Sequence, residues 1–142
     1  MKVFWDTNLF IYLWDEPGDF FGITTSLYGR LRFHQAELIT STLALGELQV
    51  GPKKQGNEAL AVTYRAALSK ATTLVPFDEA AADTYTVVRQ TTKAKAADAI
   101  HLACAAAHGV DLFVTNDDKL WGLRIPGIRF IVSIQTALQL LP

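Results

Sequence analysis

Short apolar runs alternate with stretches of helical patterning along the chain, and this alternation is what most restricts the fold. Lys2–Trp5, Glu37–Thr40, Thr73–Phe77, Leu112–Thr115 and Ile128–Val132 read as strands. Asn8–Trp14, Phe20–Phe33, Asn57–Lys70 and Lys95–His108 read as helices, as does the stretch from an Asp78 cap to Gln90. A further helix, capped by Ser41 or Thr42, carries Glu47 and ends near Gly51-Pro52. Short helices are expected at Asp118–Gly122 and, behind a Ser133 cap, at Ile134–Leu141. Pro17-Gly18 stops the first helix, and Gly109 stops the alanine-rich one. Strands separated by helices pair in parallel through right-handed crossovers, so the chain reads as an α/β fold. Ligands bind beyond the carboxyl ends of strands in such sheets. Two of these strands lead into aspartates.

At 142 residues the expectation is one domain over residues 1–142, able to fold without disulfide or structural metal. Its single cysteine, Cys104, excludes a disulfide framework, a zinc ribbon and a CxxC redox motif. Asp6 interrupts the first apolar run too early for a signal peptide, and no run approaches a membrane span, so a cytoplasmic location is expected. A net charge of −1 argues against general polyanion binding; any contact with nucleic acid needs locally placed basic residues. Charged residues are 19% of the chain, below the usual ~25%, which points to an apolar surface for a partner or a second copy. The GxxxxGK[ST] and GxGxxG phosphate cradles and the GxSxG elbow are absent.

Four acids stand out. Asp6 ends the first strand in Trp5-Asp6-Thr7-Asn8, and Asp117 follows the fourth in Thr115-Asn116-Asp117-Asp118. Helix capping accounts for either one alone. Glu47 shares a helix face with Leu43, Ala44, Leu48 and Gly51, where a carboxylate needs a metal or a basic partner such as Arg65 or Arg89. Asp98 lies in the first turn of its helix, on a face with His101, Leu102 and Ala105; favourable charge at a helix N-terminus is its simpler explanation. If the topology gathers all four, their repulsion calls for a divalent cation, and hard oxygen donors suit Mg²⁺ or Mn²⁺.

Asp6-Thr7-Asn8, Glu47-Leu48-x-x-Gly51, Asp98-Ala99-Ile100-His101-Leu102-Ala103 and Thr115-Asn116-Asp117 occur in that order. The set resembles the signature of PIN-domain ribonucleases, most closely the VapC toxins of bacterial and archaeal toxin–antitoxin pairs. The resemblance implies a PIN-like fold, a five-stranded parallel sheet flanked by helices on both faces. It also implies Mg²⁺- or Mn²⁺-dependent endoribonuclease activity, with Asp6, Glu47, Asp98 and Asp117 as the acidic quartet. Asp118 rivals Asp117 for the fourth place, and Thr7, Asn8, Thr115 and Asn116 are the polar residues beside the acids. Trp5 departs from the small aliphatic residue usual before the first aspartate.

The chemistry expected is hydrolysis through metal-activated water, leaving 5′-phosphate and 3′-hydroxyl ends. Asp6 and Asp98 are the expected direct ligands, and Glu47 and Asp117 bind directly or through water. His101 is either a buried core histidine or a residue that orients Asp98; His34 and His108 read as a loop residue and a helix-end residue. Lys53, Lys54, Lys93 and Lys95 are candidate contacts to RNA phosphates, or simply solvated. The resemblance further implies a cognate antitoxin and a homodimer. Two rival readings are a Mg²⁺-dependent phosphoacceptor signalling domain and a catalytically silent PIN-like binding module. The first needs an acceptor aspartate after strand three, where Asp78 reads as a cap.

Overall fold

The structure, a computed structural model, describes residues 1–14 and 18–142. The expected helix stop at Pro17 lies outside the described residues. The five strands are β1 (Lys2–Trp5), β2 (Glu37–Ser41), β3 (Thr73–Val75), β4 (Val110–Val114) and β5 (Ile128–Val132). All pair in parallel in the order β3-β2-β1-β4-β5. The chain builds outward from β1 through β2 to β3, then returns to lay β4 and β5 on β1's other side. The order reverses at the β1–β4 boundary, where a parallel sheet opens its binding crevice.

Seven helices flank the sheet among the described residues: α1 (Thr7–Trp14), α2 (Phe21–Phe33), α3 (Thr42–Lys54), α4 (Glu58–Ala71), α5 (Glu79–Thr91), α6 (Ala96–His108) and α7 (Ile134–Leu140). None of them is long and apolar enough to cross a membrane. Alternation along β1 divides the core into two layers. Phe4 points to the layer with Ala81 and Val88 of α5 and Ala99, Leu102 and Ala105 of α6. Val3 and Trp5 point to the other, with Leu9, Phe10, Leu27, Leu31, Ala44, Leu48, Leu68 and Ile134. Phe113 of β4 follows Phe4, while Leu112 and Val114 follow Val3 and Trp5. Helices therefore cover both faces.

Several boundaries differ from the sequence reading. α3 runs through Pro52 to Lys54. Gly51 has no Cβ to clash with the proline ring, and Gln55 N–H reaches the Gly51 carbonyl at 3.1 Å, so the last turn survives the missing donor. β3 stops at Val75 because Pro76 has no N–H to offer β2. β4 begins earlier, at Val110, because the polar Asp111 lies in the strand and accepts the Lys2 N–H at 2.7 Å. Asp118–Gly122 is a run of turns, not a helix. The Leu120 and Trp121 N–H groups bond three residues back, the Asp117 carboxylate takes the Lys119 N–H at 3.1 Å, and Gly122 turns at φ +77° with its N–H on the Ile131 carbonyl of β5. The caps expected at Asp78 and Ser133 form, bonding Ala81 and Thr136 N–H groups at 2.9 and 3.1 Å.

The β4–β5 edge depends on close backbone approach. Gly127 has φ +98°, and a Cβ there would stand 2.2 Å from the Ala106 carbonyl oxygen of α6. Gly122 shares the positive φ but faces open space. Gly127→Ala is expected to cost at least about 2 kcal/mol, and Gly122→Ala about 1 kcal/mol, in urea denaturation.

Candidate active site

Two aspartates meet at the reversal between β1 and β4. Asp6 leaves β1 with its N–H on the Val114 carbonyl at 3.1 Å, so the central pairing itself fixes the residue. Its Oδ1 accepts the Thr7 N–H at 2.7 Å, and its Oδ2 accepts the Thr115 hydroxyl at 2.9 Å. An N-cap would serve the second or third helical N–H instead, so capping does not account for Asp6. Thr115 is fully buried, and its Oγ1 also accepts the Asp117 N–H at 3.1 Å. One hydroxyl thereby ties both aspartates to the end of β4. The Trp121 indole N–H closes the turn on the Thr115 carbonyl at 2.9 Å.

Glu47 comes from α3 on the far side of Asp6. Its Oε1 accepts the Thr7 hydroxyl at 2.7 Å and lies 2.6 Å from His101 Nε2. Neither Arg65 nor Arg89 pairs with it; His101 is its partner. Burial pushes the Glu47 carboxyl up, but the hydrogen bonds from His101 and Thr7 and the charge of His101 outweigh that and hold it below its ordinary value.

Asp98, in the first turn of α6, has no such support. Burial, then the negative charges of Asp6 and Asp117 and, less strongly, Glu47, push its carboxyl above the ordinary value; His101 opposes them. Asp98 and Asp117 line one cavity of about 670 Å³. Its rim carries Lys93, Lys95 and Lys119, and Leu120 and Leu123 form its apolar wall.

The structure thus links Asp6, Glu47 and Asp117 through Thr7, Thr115 and His101, and places Asp98 beside Asp117 on the cavity wall. Other expected residues stand apart. Asn8 and Asp118 are exposed, and Asn116 donates to the Tyr12 hydroxyl at 3.2 Å instead of meeting an acid. Lys53 and Lys54 are exposed at the end of α3 and do not line the cavity with Lys93 and Lys95. His101 serves Glu47, not Asp98 by hydrogen bond. Trp5 packs against Phe10 and Tyr28, in the layer away from α6, and does not narrow the cavity. Lys119 was not legible as a cavity residue, because its place depends on the turn after Asp117. Among the described residues, no three His, Cys, Asp or Glu side chains converge closely enough to enclose an ion.

Residues 3–123 match the PIN domain, and the chain belongs to that family. Its fold is similar to a chain of DNA-bound VapBC from Salmonella typhimurium, with TM-score 0.71, 23% identity and coverage of 94% of this chain and 98% of that one. VapBC2 from Rickettsia felis bound to a promoter DNA fragment is similar at TM-score 0.70 and 20% identity, covering 94% and 98%. A toxin–antitoxin complex from Klebsiella pneumoniae is similar at TM-score 0.66 and 25% identity, covering 92% and 99%. No curated protein sequence matches the chain.

Because its folded pKa is raised, Asp98 binds its proton more tightly in the native state than in the unfolded one. Its contribution favours folding at low pH and is lost as pH rises through the carboxylate range. Asp98→Asn is therefore expected to raise the melting temperature of metal-free protein at pH 7, with the gain shrinking as pH falls towards 4. Thermal melts in EDTA across that range check this.

Proposed function

We propose that this chain is a VapC-type toxin, a Mg²⁺- or Mn²⁺-dependent endoribonuclease leaving 5′-phosphate and 3′-hydroxyl ends. The observation that carries the reading is the junction of β1 and β4, where one buried hydroxyl, Thr115, ties Asp6 and Asp117 beside the cavity that Asp98 lines, in a chain of the PIN-domain family. Such a donor set fits a hard cation. Mg²⁺ is commonly held by one or two carboxylates and several waters, so two of the acids suffice as direct ligands. Asp6 and Asp98 are the proposed direct ligands, with Glu47 and Asp117 acting directly or through water. When bound, the ion supplies an activated water and neutralises charge on the leaving oxygen.

The rest falls to the chain. Thr115 and the Thr7 N–H hold Asp6 in place, and Thr115 also holds the backbone of Asp117. Lys93, Lys95 and Lys119 offer positive charge beside the acids, and none of them is in a salt bridge among the described residues. These lysines suit RNA phosphates, which the acids alone would repel. A cognate antitoxin is the proposed protein partner, supported by the likeness to chains of toxin–antitoxin complexes. A homodimer is proposed as well, supported by exposed apolar side chains such as Phe33, Val62 and Phe130. The phosphoacceptor reading loses its acceptor, because Asp78 is occupied as the cap of α5.

Purified protein is expected to cut an end-labelled RNA pool with Mg²⁺ or Mn²⁺ but not with EDTA, and Asp98→Asn to lose that activity. The products should carry 5′-phosphates; 2′,3′-cyclic phosphate ends would overturn the mechanism, since the ribose hydroxyl would then be the nucleophile. Replacing Lys93 and Lys95 with Gln should reduce the slope of log binding constant against log salt by about 1.4 for single-stranded RNA. Filter binding across a salt series reads that slope, and an unchanged value removes both lysines from the RNA interface.

A further inference from the structure

We infer that His101 is a positioning residue: with Ser41 anchoring the other side of its ring, it fixes the carboxylate of Glu47. The inference rests on the function proposed above. His101 is 2% exposed on α6, one turn beyond Asp98. Both ring nitrogens are engaged. Nε2 lies 2.6 Å from Glu47 Oε1 and 3.1 Å from Thr7 Oγ1, and Nδ1 lies 2.8 Å from Ser41 Oγ.

The donor logic is narrow. An ionised carboxylate only accepts, so Nε2 carries the proton directed at Glu47. A serine hydroxyl both donates and accepts, so Ser41 can meet Nδ1 whether or not that nitrogen is protonated. Ser41 stands at the N-cap position of α3 yet makes no cap bond with its side chain; the hydroxyl goes to His101 instead. Thr7 and His101 converge on one oxygen of Glu47, Oε1. Oε2 has no bonded partner among the described residues, so it is the oxygen left for a cation or its water. Any buried histidine needs partners for both nitrogens; what sets His101 apart is that one of them is the half-exposed Glu47 carboxylate at the mouth of the site. The network also joins α1, through Thr7, to α6.

The test uses the full chain and Mn²⁺ alone as the probe, with free Mn²⁺ read by electron paramagnetic resonance, beside kcat and KM for RNA cleavage. His101→Leu removes both ring bonds. His101→Gln keeps an N–H near the position of Nε2. The Leu variant is expected to bind Mn²⁺ about 10–100-fold more weakly and to lose kcat with little change in KM. The Gln variant should recover Mn²⁺ affinity to within about threefold of wild type. Ser41→Ala should weaken Mn²⁺ binding in the same direction by less. Leu and Gln variants that behave alike, or a Leu variant that binds as wild type does, would overturn the inference. Should His101→Leu fail to fold, Ser41→Ala decides, and unchanged affinity and kcat there would overturn it equally. Asp98→Asn separates the two readings. If it loses Mn²⁺ while His101→Leu retains it, only the positioning role fails; if wild type binds no Mn²⁺, both fail.

Discussion

Four carboxylates brought to one end of a parallel sheet repel one another, and the polar contacts around them divide that cost unevenly. Asp6 is stabilised by an amide and a buried hydroxyl, and Glu47 by a hydroxyl and an imidazole. Asp98 receives the repulsion of the others with only His101 to offset it. The asymmetry follows from where the residues sit. Asp6 and Glu47 lie where α1, α3 and the ends of the strands pack together, whereas Asp98 opens onto a cavity. A site of this kind concentrates unfavourable electrostatics at one residue while hydrogen bonds hold its neighbours.

The sheet order makes that arrangement possible. β1 is central, and its neighbour β4 follows it by more than a hundred residues, yet the two strand ends lie within one hydrogen bond of each other. Helices on both faces then bring Glu47 from α3 and Asp98 from α6 towards the crevice from opposite layers. The two core clusters, one on each side of β1, hold these helices at their positions. Packing in either layer is thus felt at the acids.

Much of this was legible in the sequence because apolar periodicity survives burial. The five strands and the helices between them follow from residue spacing; helices on both faces, and the choice of four acids as one set, came from the resemblance carried by the motif order. What escaped the sequence depended on partners distant along the chain. Asp111 lies inside a strand because the Lys2 amide meets it, and the turns after Asp117 replace a helix because local carboxylate and indole bonds compete with helical ones. Ser41 looked like an ordinary cap until His101, sixty residues away, claimed its hydroxyl. The lysines illustrate the same limit: spacing offered four, and only the folded chain distinguishes the pair on the cavity rim and adds Lys119 to it.

The link from Thr115 to Asp6 spans 109 positions of sequence. A fragment that stops before residue 117 cannot assemble the acidic cluster, because it lacks Asp117 and, if it stops before residue 115, also the Thr115 hydroxyl that joins Asp117 to Asp6. The contacts of Glu47 with Thr7 and His101 draw only on elements that precede β4, whereas the bond to Asp6 and the place of Asp117 need the returning strand. The crevice is complete only when the returning strand docks beside the first. Completion of the sheet sets the moment at which the protein acquires its site.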